Sequence, residues 1–363
     1  MNILEYIDVI DDPRQDYKVV YPLTTLLFTT LCAILCGCQS WHDVEGYCYS
    51  KRRWLSQHID LSMGIPSSWT FRRLFTLIDP LVVETLLREV ATFLLGTGKS
   101  DHIVIDGKAL KGSRRHDGRC LKSVSAWCHE YGLVLAEKAV GRDSHESKVI
   151  PFLLETLALK GTTISIDAAG CNACIAETII QKKGQYVLAL KKNQPKLYET
   201  VTSYMKEKGQ GRACLIKDDF DDTHGRSVRR RYFTCNISHL GIDEKWPGLK
   251  TAIAVETISS TPRSTITADW RYYITSHSAK NSDLVNYVRN HWNIENKLHW
   301  VLDVQMKEDD DLKAERKSAQ SFATLRRIAL NIARVKDQTP KRSVRRKMMC
   351  AAWNEDNLLK LLT

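Results

Sequence analysis

Apolar and polar positions recur with different periods along the chain, and each period predicts an element. From Val19 to Trp41 there is no charged residue, and Pro22 and Gly37 punctuate the run. A buried helix over Pro22–Leu35 is predicted, with proline in its first turn and glycine past its end. The length would fit a membrane span. Thr24, Thr25, Thr29, Thr30, Gln39 and Ser40 dilute it, however, and no second such run follows, so a helix inside a soluble protein is the better reading. Trp41–Leu55, Ser68–Ile78 and Leu81–Leu95 carry apolar residues at helical steps, such as Phe71, Leu74, Phe75 and Ile78. Residues 1–98 therefore form a helical N-terminal region. Beyond it the pattern becomes β-rich. His102-Ile-Val-Ile-Asp106 predicts a buried strand that ends on a carboxylate. Lys122–Cys128 and Leu133–Val140 predict two more strands. Val149, Ile150, Leu153, Leu154 and Leu157 form one helical face. Thr162-Thr-Ile-Ser-Ile-Asp167 is a second strand ending on Asp, followed by a helix near Cys174–Ile180, a strand at Gln185–Leu190 and a helix from Lys196.

The predicted order is β-β-β-α-β-α-β-α. Three successive strands form a meander, and helices then cross over to parallel neighbours. This is an α/β fold of ribonuclease-H-like type, a mixed sheet with flanking helices, in which strands one and four lie side by side. Residues 99–205 supply its first part. Within 206–280, Ser227–Asn236, Thr251–Ile258 and Trp270–Ser276 are β-rich and predict an inserted small sheet. Residues 281–335 return to the core with a helix over Ser282–Met306, which lacks Pro and Gly. Its stripe Leu284, Tyr287, Val288, His291, Glu295, Leu298 and Leu302 predicts an inward-facing Glu295. Residues 336–363 form a basic helical tail.

Charge changes the picture. The net charge is +11, yet residues 1–100 hold 9 Lys and Arg against 11 Asp and Glu. The basic excess lies in the remainder and points to a polyanion, most simply nucleic acid. Candidate backbone contacts are Lys108, Lys192, Arg226, Arg345, Arg346 and Lys347. For Lys108 and Lys192 an ordinary surface role is at least as good a reading, and for the Arg226 segment a solvated edge strand is an equal alternative. Arg72 and Arg73 on a short helix could also approach DNA. Eleven scattered cysteines, with no secretory signal expected in Met1–Asp16, predict reduced thiols and a cytoplasmic protein. Cys171-Asn-Ala-Cys174 lacks the second pair that zinc requires. Gly96-Thr-Gly-Lys-Ser100 has Phe93 where a phosphate loop needs glycine.

Two strands ending on Asp place two carboxylates at one sheet edge, an arrangement that suits a divalent cation. Each Asp could equally cap a turn or helix. Glu295 on an inward stripe would add a third carboxylate. The acidic run Glu308–Asp311 competes for that role but reads as the solvated end of the helix.

At this point the chain resembles a family. Ile105-Asp-Gly-Lys-Ala-Leu-Lys-Gly-Ser113, Val124-Ser-Ala126, Ile166-Asp-Ala168, Leu190-Lys-Lys-Asn-Gln194 and above all Arg289-Asn-His-Trp-Asn-Ile-Glu-Asn-Lys-Leu-His-Trp-Val-Leu-Asp-Val304 are similar to the H-repeat-associated transposases of bacterial insertion sequences, within the DDE class. The resemblance implies Asp106, Asp167 and Glu295 as metal ligands and catalytic residues, with two Mg²⁺ ions or Mn²⁺ in their place. It implies metal-dependent cleavage and strand transfer on double-stranded DNA, with the protein a homodimer on that DNA and no membrane association. Two alternatives stand beside it: a DNA-binding remnant without catalysis, and a metal-dependent ribonuclease-H-like nuclease. No carboxylate of the set is missing, and the insertion and terminal regions favour the transposase.

Overall fold

The computed structural model describes residues 3–363 apart from 9, 13, 115–117, 142–143, 207–213, 224–225, 243–244, 262–263, 314 and 340–341. In chain order the helices and strands are α1 (Ile3–Asp8), α2 (Leu23–Leu35), α3 (Trp41–Ser50), α4 (Arg52–Leu55), α5 (Ser68–Leu77), α6 (Pro80–Leu95), β1 (His102–Leu110), β2 (Leu121–Cys128), β3 (Leu133–Val140), α7 (Glu146–Glu155), β4 (Thr163–Ile166), α8 (Ala173–Gln181), β5 (Gln185–Leu190), α9 (Pro195–Lys206), β6 (Cys214–Thr223), β7 (Arg226–Asn236), β8 (Thr251–Thr261), β9 (Ser264–Thr275), α10 (Leu284–His291), α11 (Arg316–Lys336), α12 (Val344–Trp353) and α13 (Glu355–Leu362). Between α10 and α11 lie two π-helical segments, Glu295–His299 and Val301–Gln305. The chain forms two compact units: Met1–Lys99 with Gly107–Ser144 and Ile294–Thr363, and Ser100–Asp106 with His145–Asn293. Strand β1 passes from the second unit into the first.

The first unit is built on α11. Its residues from Ser318 to Ala333 are almost all buried, including Arg326 and Arg327. It packs against α2, α5, α6 and β3. Helix α2 is buried nearly all round, as an uncharged helix in the middle of a core should be. Among the described residues no helix is long and apolar enough to cross a membrane. Trp41 stacks on Phe75 at 4.8 Å between ring centroids and meets Phe322 edge-on at 5.1 Å. Strand order here is β3-β2-β1. The outer strand β3 is closed off by the buried Asn331, whose amide accepts from Val134 N and donates to Val134 O, both at 2.8 Å. A side chain thus completes part of the edge that an outer strand would leave open.

The second unit has the order β1-β4-β5-β9-β8-β7-β6. β1, β4 and β5 are parallel, and β9 joins β5 antiparallel with Leu188 opposite Ile274. Within this unit, parallel β1-β4-β5 is part of the ribonuclease-H-like arrangement that the sequence predicts. The insertion differs from expectation in one respect. It is not a separate small sheet but four long antiparallel strands that continue from β5. Strand β6, Cys214–Thr223, has no apolar alternation because Asp218, Asp219, Asp221 and Asp222 face the Arg-rich β7. Arg229 pairs with Asp218 at 2.6 Å, while Arg231 pairs with Glu256 and Arg289 with Asp219. Two of the β7 arginines, Arg229 and Arg231, are therefore matched within the protein.

Candidate active site

In the second unit, β1 and β4 run parallel with Ile105 opposite Ile166. Asp106 and Asp167 follow at corresponding positions on neighbouring strands. The pairing is the one expected, although β1 continues to Leu110 rather than stopping at its Asp. Both aspartates are half-buried. Asp167 also fulfils the capping role that the sequence left open. Its Oδ1 accepts from Ala169 N at 3.0 Å and Gly170 N at 3.3 Å, at the start of a short turn of 3₁₀ helix. That turn needs Gly170, since a Cβ there would lie 2.3 Å from Ile166 Cγ2 and 2.8 Å from Ile150 Cδ1. The Lys-Lys-Asn-Gln stretch after β5 braces the same loop. Asn193 donates to Ala168 O at 2.6 Å and Gln194 to Cys171 O at 2.9 Å. One residue before Ile166, the buried Ser165 hydroxyl lies 2.8 Å from His102 Nε2 and 3.0 Å from His291 Nδ1. This contact docks α10 on β4 at the end from which the chain enters the Glu295 segment.

Glu295 opens the first π-helical segment, in the first unit. It is exposed, with 56% of its side chain accessible, where the stripe predicted it inward. The buried positions run Leu284, Val288, His291, Ile294, Leu298 and Leu302, so the three-residue step from His291 lands on Ile294. A helix of constant period is the wrong template, because the backbone widens here. Trp300 N bonds to Glu295 O and Met306 N to Val301 O at 3.1 Å, both five residues back. Such π-turns are frequent at functional sites. His299 Nδ1 lies 3.4 Å from Glu295 Oε2. The sequence reading passed over His299. The four-residue spacing in Glu-Asn-Lys-Leu-His was the available signal. Arg334, near the end of α11, is turned inward, and its guanidinium donates to the carbonyls of Lys297 and Gly132. Burial pulls its pKa down to about 10.

Behind Glu295 lies a buried ionic cluster that the sequence reading placed in solvent. Lys108 is buried, and its Nζ reaches Asp303 at 2.6 Å, Glu308 at 3.1 Å and Asp309 at 3.4 Å. It therefore faces carboxylates rather than a phosphate. Glu308 is not on a solvated helix end. It is 2% exposed and accepts from Arg327 at 2.6 Å. Arg327 in turn pairs with Glu137 of β3 at 2.7 Å. Burial pushes the Glu308 carboxyl upward, but Arg327 and Lys108 outweigh burial and hold it at about 2. For Asp303, burial outweighs the Lys108 contact and its pKa is raised. Asp311 is likewise buried, on Arg326 at 2.7 Å and Lys313 at 2.8 Å. Its carbonyl oxygen sits where a Cβ on Gly112 would come within 2.1 Å, which explains glycine at the end of Gly-Lys-Ala-Leu-Lys-Gly.

The other basic candidates divide. Lys192, Arg345 and Arg346 are exposed. Lys347 is 9% exposed, and its ammonium donates to Ala333 O at 2.9 Å and to Asp337 O. It closes the α11 C-terminus instead of facing solvent. Arg226 begins β7 opposite Thr223. Its neighbours His224 and Gly225 lie outside the described residues. All eleven cysteines are free thiols. Burial lifts the Cys171 thiol to about 12, so its sulfur is a protonated thiol.

Comparison with known proteins decides the family. The transposase DDE domain model matches residues 97–332, and the associated N-terminal model matches residues 4–90. The chain belongs to the DDE transposase family. YhhI of Escherichia coli K12, named as a candidate transposase associated with H repeats, is 32% identical over 99% of this chain and 97% of its own. YncI of Escherichia coli O157:H7, named as a candidate transposase, is 33% identical over 92% of this chain and 87% of its own. A piggyBac transposase solved in a synaptic complex with hairpin DNA has 11% identity and a TM-score of 0.42, covering 99% of this chain and 76% of that one. The protein is thus a transposase of insertion-sequence type.

Proposed function

We propose that this transposase cleaves and joins double-stranded DNA, and that Asp106, Asp167 and Glu295 together hold the divalent cations of the reaction, Mg²⁺ or Mn²⁺. The observation that carries the reading is the β1–β4 register, which sets two aspartates on adjacent parallel strands. The donor chemistry fits. Three carboxylates offer hard oxygens, and the Asp167 bonds to backbone N–H groups engage only Oδ1, as a carboxylate shared between a cap and a cation requires. The cations, when bound, would activate the attacking oxygen and stabilise the leaving one in an in-line displacement. The chain's own part is to hold these carboxylates in place. His102, Ser165 and His291 fix α10 to β4, and Asn193 and Gln194 brace the loop after Asp167.

DNA is the polyanion that the family supplies to the basic part of the chain. Lys192, Arg226, Arg345 and Arg346 are the proposed backbone contacts, and the active form on DNA is a homodimer. Titration calorimetry with Mn²⁺ tests the site. Micromolar to millimolar binding that is lost in Asp106→Asn and Asp167→Asn, with the melting temperature kept, is the expected outcome. Binding unchanged in both variants would remove the aspartates from the site.

A further inference from the structure

Trp69 has no evident role in the fold. It lies in the first turn of α5 with 66% of its surface exposed. The ring lines two clefts, of about 610 and 480 Å³. The larger is lined by Arg72, Lys313 and His42 but also by Asp310, Asp311 and Glu315. The smaller is different. Among the described residues its polar lining includes Arg14, Lys18 and Arg73 and no carboxylate, and its apolar lining includes Val20, Tyr21 and Leu77. Val20 and Leu77 are 54% and 52% exposed, and Tyr17 beside them is 80% exposed with the Lys18 ammonium 5.0 Å from its ring centre. On the other side, the Arg72 guanidinium lies 5.4 Å from the Trp69 ring centre. Arg14 is already paired with Asp12 at 2.5 Å. Lys18 and Arg73 are both exposed.

An exposed indole between cations, beside a cleft with basic and apolar walls, has the composition of a stacking platform for single-stranded nucleic acid, in which aromatic rings take base faces and Lys or Arg take the backbone. The volume is within the range of small-ligand sites, of the order of 300–1,000 Å³, and is enough for one nucleotide. A duplex offers no free base face, so the feature has no use on intact paired DNA. We propose that this cleft binds an unpaired nucleotide of DNA, with the base against Trp69 and the adjoining phosphate on Lys18 and Arg73. The region as a whole carries a slight acidic excess, so the cleft contributes by stacking more than by net charge. The inference rests on DNA being the partner, but not on the carboxylate site.

The test is binding of the full-length protein to a labelled oligothymidylate of about twelve nucleotides and to a blunt duplex of equal length, by fluorescence anisotropy over a salt series. Trp69→Ala is expected to weaken the single strand between about 5- and 150-fold, the range for losing one stacked base, and to leave the duplex within twofold. Trp69→Phe keeps a ring and should recover most of the loss. Arg73→Gln should lower the single-strand salt slope by about 0.7. Both positions are exposed, and circular dichroism melts confirm the fold. Equal single-strand affinity in Trp69→Ala and parent overturns the proposal, as does an equal loss on both substrates. Should Trp69→Ala instead dissociate an oligomer in sedimentation while single-strand affinity holds, the face is a protein interface and the proposal falls. Parent protein that binds neither DNA refutes the DNA reading itself, whereas duplex binding without single-strand binding refutes only this inference.

Discussion

Glu308→Gln is the most informative single change in the buried cluster. The carboxylate is 2% exposed, 2.6 Å from Arg327 and 3.1 Å from Lys108. Its pKa falls from 4.5 to about 2 despite burial. At 1.36 kcal/mol per pKa unit, that depression corresponds to about 3 kcal/mol of stability. Glutamine keeps the shape but removes the charge from between two buried cations, and breaking a buried pair in this way costs about 3–5 kcal/mol. The expected destabilisation at pH 7 is therefore about 3–5 kcal/mol. Its pH dependence has a definite sign. A depressed carboxyl contributes fully above its unfolded pKa and loses that contribution as pH falls through the folded value. The gap between parent and variant should hold from pH 7 to about 4.5 and then close toward pH 2. Urea denaturation at a series of pH values measures it. A gap below about 1 kcal/mol at pH 7, or one that stays constant from pH 7 to pH 3, would refute the assignment of Glu308 as an ionised partner of Arg327 and Lys108.

Three further outcomes follow from named contacts. Gly170→Ala places a methyl 2.3 Å from Ile166 Cγ2; overpacking of this kind costs about 1–3 kcal/mol and should lower DNA cleavage by displacing the Asp167 turn, measured by melts and nicking together. Asn331→Leu removes the two 2.8 Å bonds to Val134 and should cost about 2–4 kcal/mol by leaving both backbone groups unpaired; hydrogen exchange at Val134 should accelerate in step. Charge reversal at Arg345 and Arg346, both exposed, should reduce the salt slope of duplex binding by about 0.9 per lost contact, and an unchanged slope would assign them to solubility.

What was legible in the sequence depended on whether local pattern or distant partners set each position. Strands β1 to β5 and helices α2, α5 and α6 were readable because burial imposes a period on neighbouring residues. The pairing of Asp106 with Asp167 was readable because strand order fixes which strand ends adjoin. Glu295 was singled out by the apolar stripe before the family motif pointed to it, and that stripe placed it inward, since a constant helical period cannot anticipate a π-turn. The acidic run at Glu308–Asp311 and the arginines of α11 look solvated when read singly. Glu308, Asp311, Arg326 and Arg327 are buried because they pair, with Arg327 between Glu137 and Glu308 and Arg326 on Asp311. Strand β6 was missed for the same reason, as Asp218 and Asp219 are balanced by Arg229 of β7 and Arg289 of α10 rather than by an apolar face.

The central claim is that three carboxylates act as one metal-dependent DNA-cutting unit. Nicking of a labelled duplex carrying the element's own ends, with and without Mg²⁺, tests it most directly, using parent, Asp106→Asn, Asp167→Asn and Glu295→Gln at equal folded concentration. The account predicts Mg²⁺-dependent nicking by the parent, loss of at least a hundredfold in each single variant with duplex binding retained, and little further loss when two are combined, because groups acting as a unit are not additive. A Glu295→Gln protein that nicks as fast as the parent would contradict it and move the third acid to Asp303.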